Sequence, residues 1–194
     1  MIEPLAGNTG SSASGVLWLS DLLEHASGTS APTAAGSATG IAAAMSAALV
    51  AMAAERSRGS WAGAGAAIAQ AATLQQRCLT LARADVEAFG RAAAALERGT
   101  EIEEPLRETV DLLLALGEAA CDIGELAALV SAHCERLVHA DAEAAALVAE
   151  GAVRAVEALV RANLSVQPGD ERLVRIQRVR QAAGDAACRA EETA

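Results

Sequence analysis

The stretch at residues 30–54 sets the terms for everything around it. It reads S-A-P-T-A-A-G-S-A-T-G-I-A-A-A-M-S-A-A-L-V-A-M-A-A. Pro32 fixes its own φ and stops any helix that precedes it. Thr33, Ser37 and Thr39 carry hydroxyls of the kind that bond the free amides of a helical first turn. Gly36 and Gly40 let another group come close to the backbone. Residues 40–54 then run without a charge. A helix that is apolar on all sides is expected to be buried on all sides, and its small residues let neighbouring helices approach. A loop of amides and hydroxyls leading into such a helix suits an anion or another small ligand. It equally suits a plain core helix with a good start, and these residues alone leave both readings open.

The chain has 194 residues, enough for one domain with a real core. Alanine dominates, tyrosine is absent and phenylalanine occurs once. Helices are favoured over sheets by that composition. A net charge of −10 provides no basic stripe, so no nucleic-acid partner is expected. Every basic residue is an arginine, which excludes a lysine Schiff base. Cys78, Cys121, Cys134 and Cys188 show no C-x-x-C spacing in a chain too long for a disulfide scaffold, so reduced thiols are expected. His133, Cys134 and His139 are not at ligand spacing on one helix face, and no Glu-x-x-His occurs, so no metal is expected. There is no phosphate loop or nucleophile elbow, and G-S-A-T-G at residues 36–40 lacks the preceding strand of a dinucleotide site. The N-terminus lacks signal-peptide character. Residues 40–54 fall short of the roughly 20 apolar residues a bilayer requires. A cytoplasmic protein without a membrane partner is expected.

Along the chain, residues 1–14 are expected as a flexible N-terminus, rich in Gly, Asn and Ser without a period. Residues 15–194 are expected as a single helical domain. A first amphipathic helix is expected at residues 16–25, with Val16, Leu19, Leu22 and Leu23 on one face. After the central helix, residues 61–97 form one long helix with the stripe Ile68, Ala71, Leu74, Cys78, Leu81, Asp85 and Phe89. Asp85 sits four residues from both Leu81 and Phe89, so it is expected to point inward. Pro105 suits the first turn of the next helix, whose buried face runs through Val110, Leu113, Leu114, Leu116, Ala120, Ile123, Ala127 and Val130. Gly117 and Gly124 are candidate kinks in it. Asp141 opens a helix that reaches about Leu164. Its outer face is Glu143, Glu150, Arg154, Glu157 and Arg161, and its inner face is Asp141, Ala145, Val148, Ala152, Val156, Leu159 and Asn163. Pro168-Gly169-Asp170 is a turn, and Asp170 caps a last helix. The pattern predicts an all-α bundle of about seven helices around a central small-residue buried helix.

Asp85, Asp141 and Asn163 thus stand as polar groups on apolar faces. A carboxylate in a poorly solvated place has a raised pKa and can move protons near neutrality. Spacing alone also allows structural roles: a hydrogen-bonded buried acid for Asp85, a helix cap for Asp141.

Several short motifs recur in a particular order. D-L-L-E-H-A-S-G-T-S-A-P-T-A-A-G-S carries Pro32, Thr33, Gly36 and Ser37; A-R-A-D-V-E-A-F carries Asp85, Glu87, Ala88 and Phe89. Pro105-Leu106 opens the next helix, and H-A-D-A-E-A-A and R-A-N-L carry Asp141, Ala142, Asn163 and Leu164. In this order they resemble the cyclodeaminase domain of formiminotransferase-cyclodeaminase and the related methenyltetrahydrofolate cyclohydrolases, over about residues 16–183. That family has a P-T-P-G-G-G-S loop, D-x-D-A-x-A-F, S-D-A-G-V-A and I-N-L in these places. The resemblance implies a folate one-carbon enzyme, in which a carbon between two nitrogens is attacked by water or closes a ring with loss of ammonia. It implies no metal or redox cofactor. It implies Asp141 as acid/base, Asp85 holding a pterin-like ring or stabilising positive charge, and Thr33, Gly36, Ser37, Glu87 and Asn163 in substrate binding. A homodimer is expected, because the small-residue face of the central helix suits close packing. This chain departs from the family pattern at Ala34, Ala35, Arg83, Ala140 and Glu143. Two other functions remain open: the same fold acting on a non-folate small molecule, and a non-catalytic helical interaction domain.

Overall fold

Alanine-rich sequence has little reason to stop being helical before a proline or a capped loop, and helix α1 (Ala35–Arg56) begins earlier than its uncharged run. A computed structural model describes Ser27 and residues 35–164 and 170–192. Beyond α1 it contains α2 (Ala64–Arg98), α3 (Glu103–Ser131), a 3₁₀ turn (Arg136–Val138), α4 (His139–Asn163) and α5 (Glu171–Glu192). Among the described residues there are five α-helices and no strand, where about seven helices were expected. The helix expected at residues 16–25, the stretch 1–14, Thr33 and Pro168-Gly169 lie outside the described residues.

Consecutive helices run antiparallel. Gly36 and Gly40 of α1 face Asp85 and Ala82 of α2. Arg77 and Arg91 of α2 pair with Asp122 and Glu108 of α3. Gly117 and Gly124 of α3 face Val156 and Ala149 of α4. Glu157 of α4 meets Arg180 of α5. Ser46 in α1 donates to the Ala145 carbonyl of α4 at 2.6 Å, tying the first element to the fourth.

The glycines act by removing bulk, not by bending. α3 runs unbroken through Gly117 and Gly124. A Cβ at Gly117 would stand 2.9 Å from Ile176 Cδ1 and 3.1 Å from Val156 Cγ1, so α4 and α5 close on α3 at that point. A Cβ at Gly40 would stand 2.7 Å from the Ala82 Cβ. α2 buries Ala64, Ala67, Ala71, Leu74, Cys78, Ala82, Asp85, Ala88, Ala92 and Ala95, a 3–4 alternation that keeps one seam inward. Gly99 ends it at φ 63°, a left-handed cap whose amide returns to the last turn.

Three expectations change. α1 is not enclosed on all sides: Met45 is 61% exposed and Ala38 and Ala48 are exposed with it. Its 22 residues match the length that spans a bilayer, but Gly36, Ala43, Ala47, Val50 and Ala54 are buried in the bundle. Thr39 is not a cap, because the helix already contains it; its hydroxyl donates to the Ala35 carbonyl at 2.7 Å. On α4, Glu157 is buried and Val148 is exposed, the reverse of the expected faces. Glu157 turns inward because α5 brings Arg180 to its second oxygen at 3.2 Å, while Arg161 holds the first at 2.7 Å.

Candidate functional site

α1, α2, α3 and α4 meet at one end of the bundle around a chamber of about 40 Å³, lined by Gly36, Asp85, Phe89, Thr109, Leu113, Leu159 and Asn163. Asp85 is there because the buried seam of α2 brings it there; it is 4% exposed. Its carboxylate lies directly on the backbone at the start of α1. A Cβ at Gly36 would stand 2.0 Å from Asp85 Oδ2, so glycine alone leaves the carboxylate its place. Among the described residues, no hydrogen bond or ion pair reaches this carboxylate.

Burial pushes the Asp85 carboxyl up from 3.8 to about 6. That rise is worth about 3 kcal/mol. The positive end of α1 favours the ionised form by about 0.3–1 kcal/mol, too little to cancel it. Asp85 is therefore held between two protonation states close to neutral pH.

The other polar wall residues each have one donor proton committed, and Asn163 keeps its second amide proton. Thr109 is fully buried and its hydroxyl donates to the Pro105 carbonyl at 3.0 Å. Asn163 Nδ2 donates to the Leu159 carbonyl at 2.8 Å. Thr109 Oγ1 and Asn163 Oδ1 keep their acceptor capacity. Phe89, Leu113 and Leu159 supply the apolar remainder of the wall.

Gly36, Asp85 and Asn163 line this one chamber together. Ser37 follows Gly36 in the first turn of α1, half-buried. Glu87 is exposed on the far side of α2, where it borders an open groove with Arg91 and Arg98. Asp141 stands apart. It is the third residue of α4, not its cap, which is Val138. Asn163 closes the same helix, so the two lie about 33 Å apart along its axis at 1.5 Å per residue. Within one chain they do not share a pocket. The inward-facing Thr109 was missed; its spacing of four from Leu113 is the signal that identifies it.

At the opposite end, the Trp61 and His133 rings stack at 5.3 Å. Ser131 Oγ lies 2.9 Å from His139 Nε2 and donates to the Ala190 carbonyl at 3.1 Å. Ser131 thereby links α3, α4 and α5. Cys78 and Cys121 are unpaired, and burial pushes both thiols up to about 11, which keeps them unreactive at neutral pH. Among the described residues, no group of acids, histidines and cysteines is placed to hold a metal.

Fold and site together define an all-α antiparallel bundle with a buried acid, without a partner among the described residues, in a small chamber at one end. The sequence matches the formiminotransferase-cyclodeaminase family over residues 19–181, and the chain belongs to that family. Its fold is that of a formiminotetrahydrofolate cyclodeaminase from Thermotoga maritima, with a TM-score of 0.82 at 15% identity, covering 90% of this chain and 94% of the other. No curated protein sequence matches it.

Proposed function

We propose that the chain is a cytoplasmic folate one-carbon enzyme of the cyclodeaminase/cyclohydrolase type, working as a homodimer without a metal or redox cofactor. The observation that carries this reading is Asp85. A carboxylate that is 4% exposed, without a partner among the described residues and pressed onto Gly36, is costly to keep in a fold that does not use it.

The chemistry joins a folate nitrogen to a one-carbon group and expels the group's other substituent, or runs in reverse with water. Each direction needs a base for the attacking N–H or O–H and an acid for the departing nitrogen. A carboxyl at about 6 is about one-tenth protonated at pH 7, so Asp85 serves both roles in one turnover. Phe89, Leu113 and Leu159 exclude water around it. Asn163 and the start of α1 at Gly36 and Ser37 flank the reacting carbon, with Thr33 preceding them in sequence. Asp141 belongs to the other end of α4 and is not the proton carrier in this reading.

A thermal unfolding series with 5-formyltetrahydrofolate tests it. At a hundredfold excess over the dissociation constant, about 2.7 kcal/mol of stabilisation is expected for the wild type, and much less for Asp85→Asn. No stabilisation by any tetrahydrofolate derivative would overturn the folate assignment. The replacements at Ala34, Ala35 and Arg83 favour a second reading, the same site acting on a non-folate amidine. Stabilisation by such a heterocycle and by no folate decides for it.

A further inference from the structure

A second pocket, open to solvent on one side, shares Asn163 with the Asp85 chamber. It lies between the first turns of α3, the end of α4 and the start of α5, and its volume is about 180 Å³. A cavity of about 150 Å³ already takes a benzene ring, so this one admits a fused bicycle. Leu106, Val110 and Leu164 form its apolar wall. Glu103 and Arg107, one helical turn apart on the same face of α3, and Arg172 from α5 form the polar one. The Glu103 carboxylate has no partner among the described residues. Arg107 bonds Glu104 through Nη1 alone at 2.7 Å, and Arg172 bonds Asp170 through Nε and Nη2. Both guanidinium groups therefore keep spare N–H donors. A glutamate tail, with its paired carboxylates, is ill matched here, because Glu103, Glu104 and Asp170 outnumber the two arginines they surround. A neutral flat ring whose edge sets two N–H donors beside a carbonyl matches better. The carboxylate accepts both donors, and a guanidinium N–H donates to the carbonyl.

We propose that this pocket takes the pyrimidine edge of a pterin, with the 2-amino and N3–H donors on Glu103 and the 4-oxo acceptor on Arg107. The proposal rests on the folate reading above and deepens it by naming the subsite that orients the substrate. In a pterin the 2-amino group and the folate's reacting N5 belong to different rings of the bicycle. Glu103 precedes Thr109 of the chamber by six residues, about 9 Å along α3. A bicycle anchored at Glu103 thus presents N5 toward Asn163, which lines both spaces, and toward Asp85 beyond it. Glu103 is then a specificity-determining residue that moves no proton. It selects a ring bearing the 2-amino group and sets its direction, and Asp85 carries the chemistry.

Titration with pterin, followed by the fluorescence of pterin itself, tests this without turnover. Lumazine, in which a carbonyl replaces the 2-amino group, and p-aminobenzoylglutamate, the tail without the ring, are the comparisons. Pterin is expected to bind saturably, and lumazine at least about tenfold more weakly. Glu103→Gln is expected to weaken pterin at least about tenfold and to leave lumazine unchanged. Glu101→Gln removes an exposed acid that does not line the pocket and is expected to change neither. In turnover of 5-formiminotetrahydrofolate, Glu103→Gln is expected to raise KM by the same factor and to keep kcat within about twofold. Equal binding of pterin and lumazine, a pterin affinity untouched by Glu103→Gln, or displacement of bound pterin by p-aminobenzoylglutamate would overturn the proposal. If 5-formyltetrahydrofolate binds wild type and Glu103→Gln alike, the subsite alone is sunk, whereas no binding of any tetrahydrofolate to the wild type sinks the reading beneath it.

Discussion

Asp85 is unstable where it stands, and that instability is measurable. Its carboxyl is raised from 3.8 to about 6 in the fold, so the folded chain holds this proton more tightly than the unfolded chain does. Below pH 3.8 both states are protonated and the residue adds no penalty. As pH rises from about 4 to about 6 the unfolded state ionises first, and stability falls by about 3 kcal/mol. Above pH 6 the whole penalty is present. Asp85→Asn is therefore expected to be more stable than wild type at pH 7.5, by up to about 3 kcal/mol, and closer to it at pH 4. Urea denaturation of both proteins at the two pH values checks this, and their difference cancels the contribution of every other carboxylate. Asp85 could be read from the sequence because its spacing from Leu81 and Phe89 places it on an apolar stripe. Glu157 could not, because its i, i+4 arginine looks like an outer-face pair and only Arg180, from α5, draws it inward. Thr109 was hidden in the same way, as one polar residue in a polar first stretch of helix.

The pairing of α1 with α2 is what puts a carboxylate over a helix start. Gly36 and Gly40 lie one turn apart on the same face, and each meets α2 where a methyl group does not fit. Gly36→Ala must displace Asp85, because its Cβ would fall 2.0 Å from Oδ2. Activity is expected to drop by about two orders of magnitude with a folded protein, since the proton carrier leaves its position. Gly40→Ala meets Ala82 and the Cys78 carbonyl instead, and is expected to cost about 1–3 kcal/mol of stability by forcing the helices apart. Gly59→Ala has open space around it and serves as the neutral control. Denaturant midpoints and initial rates separate the three. The sequence showed that these glycines allow close approach. It did not show that α1 starts at Ala35, because alanine, serine and threonine carry helix and loop equally well until a neighbour packs on them. The expected loop cradle is, from Ala35 onward, helix.

Among the described residues the bundle has two ends with different contents. Asp85, Gly36, Thr109 and Asn163 gather at one end; Asp141, Ser131, His133 and His139 gather at the other. The order of helices could be read from periodicity: the stripe predicted for α3 is buried throughout, that of α2 mostly so, and that of α4 only at Ala145, Ala152 and Val156. The distance between Asp85 and Asp141 could not, because residues on apolar faces of two helices share a direction without sharing a height. α1 leaves Ala38, Met45 and Ala48 exposed, an apolar face on the central helix that suits a second copy of the chain. Sedimentation is expected to show a dimer that Met45→Arg converts to a monomer; an unchanged dimer in that variant would place the interface elsewhere. The central claim is that Asp85 moves the proton in a folate one-carbon reaction, and the direct measurement is single-substrate turnover of 5-formiminotetrahydrofolate with ammonia release, in wild type, Asp85→Asn and Asp141→Asn. The account predicts turnover in wild type, a loss of about 10²–10⁴-fold in Asp85→Asn, and a rate within about twofold of wild type in Asp141→Asn, where asparagine still suits the first turn of a helix. Equal rates in wild type and Asp85→Asn, or a loss confined to Asp141→Asn, would contradict it.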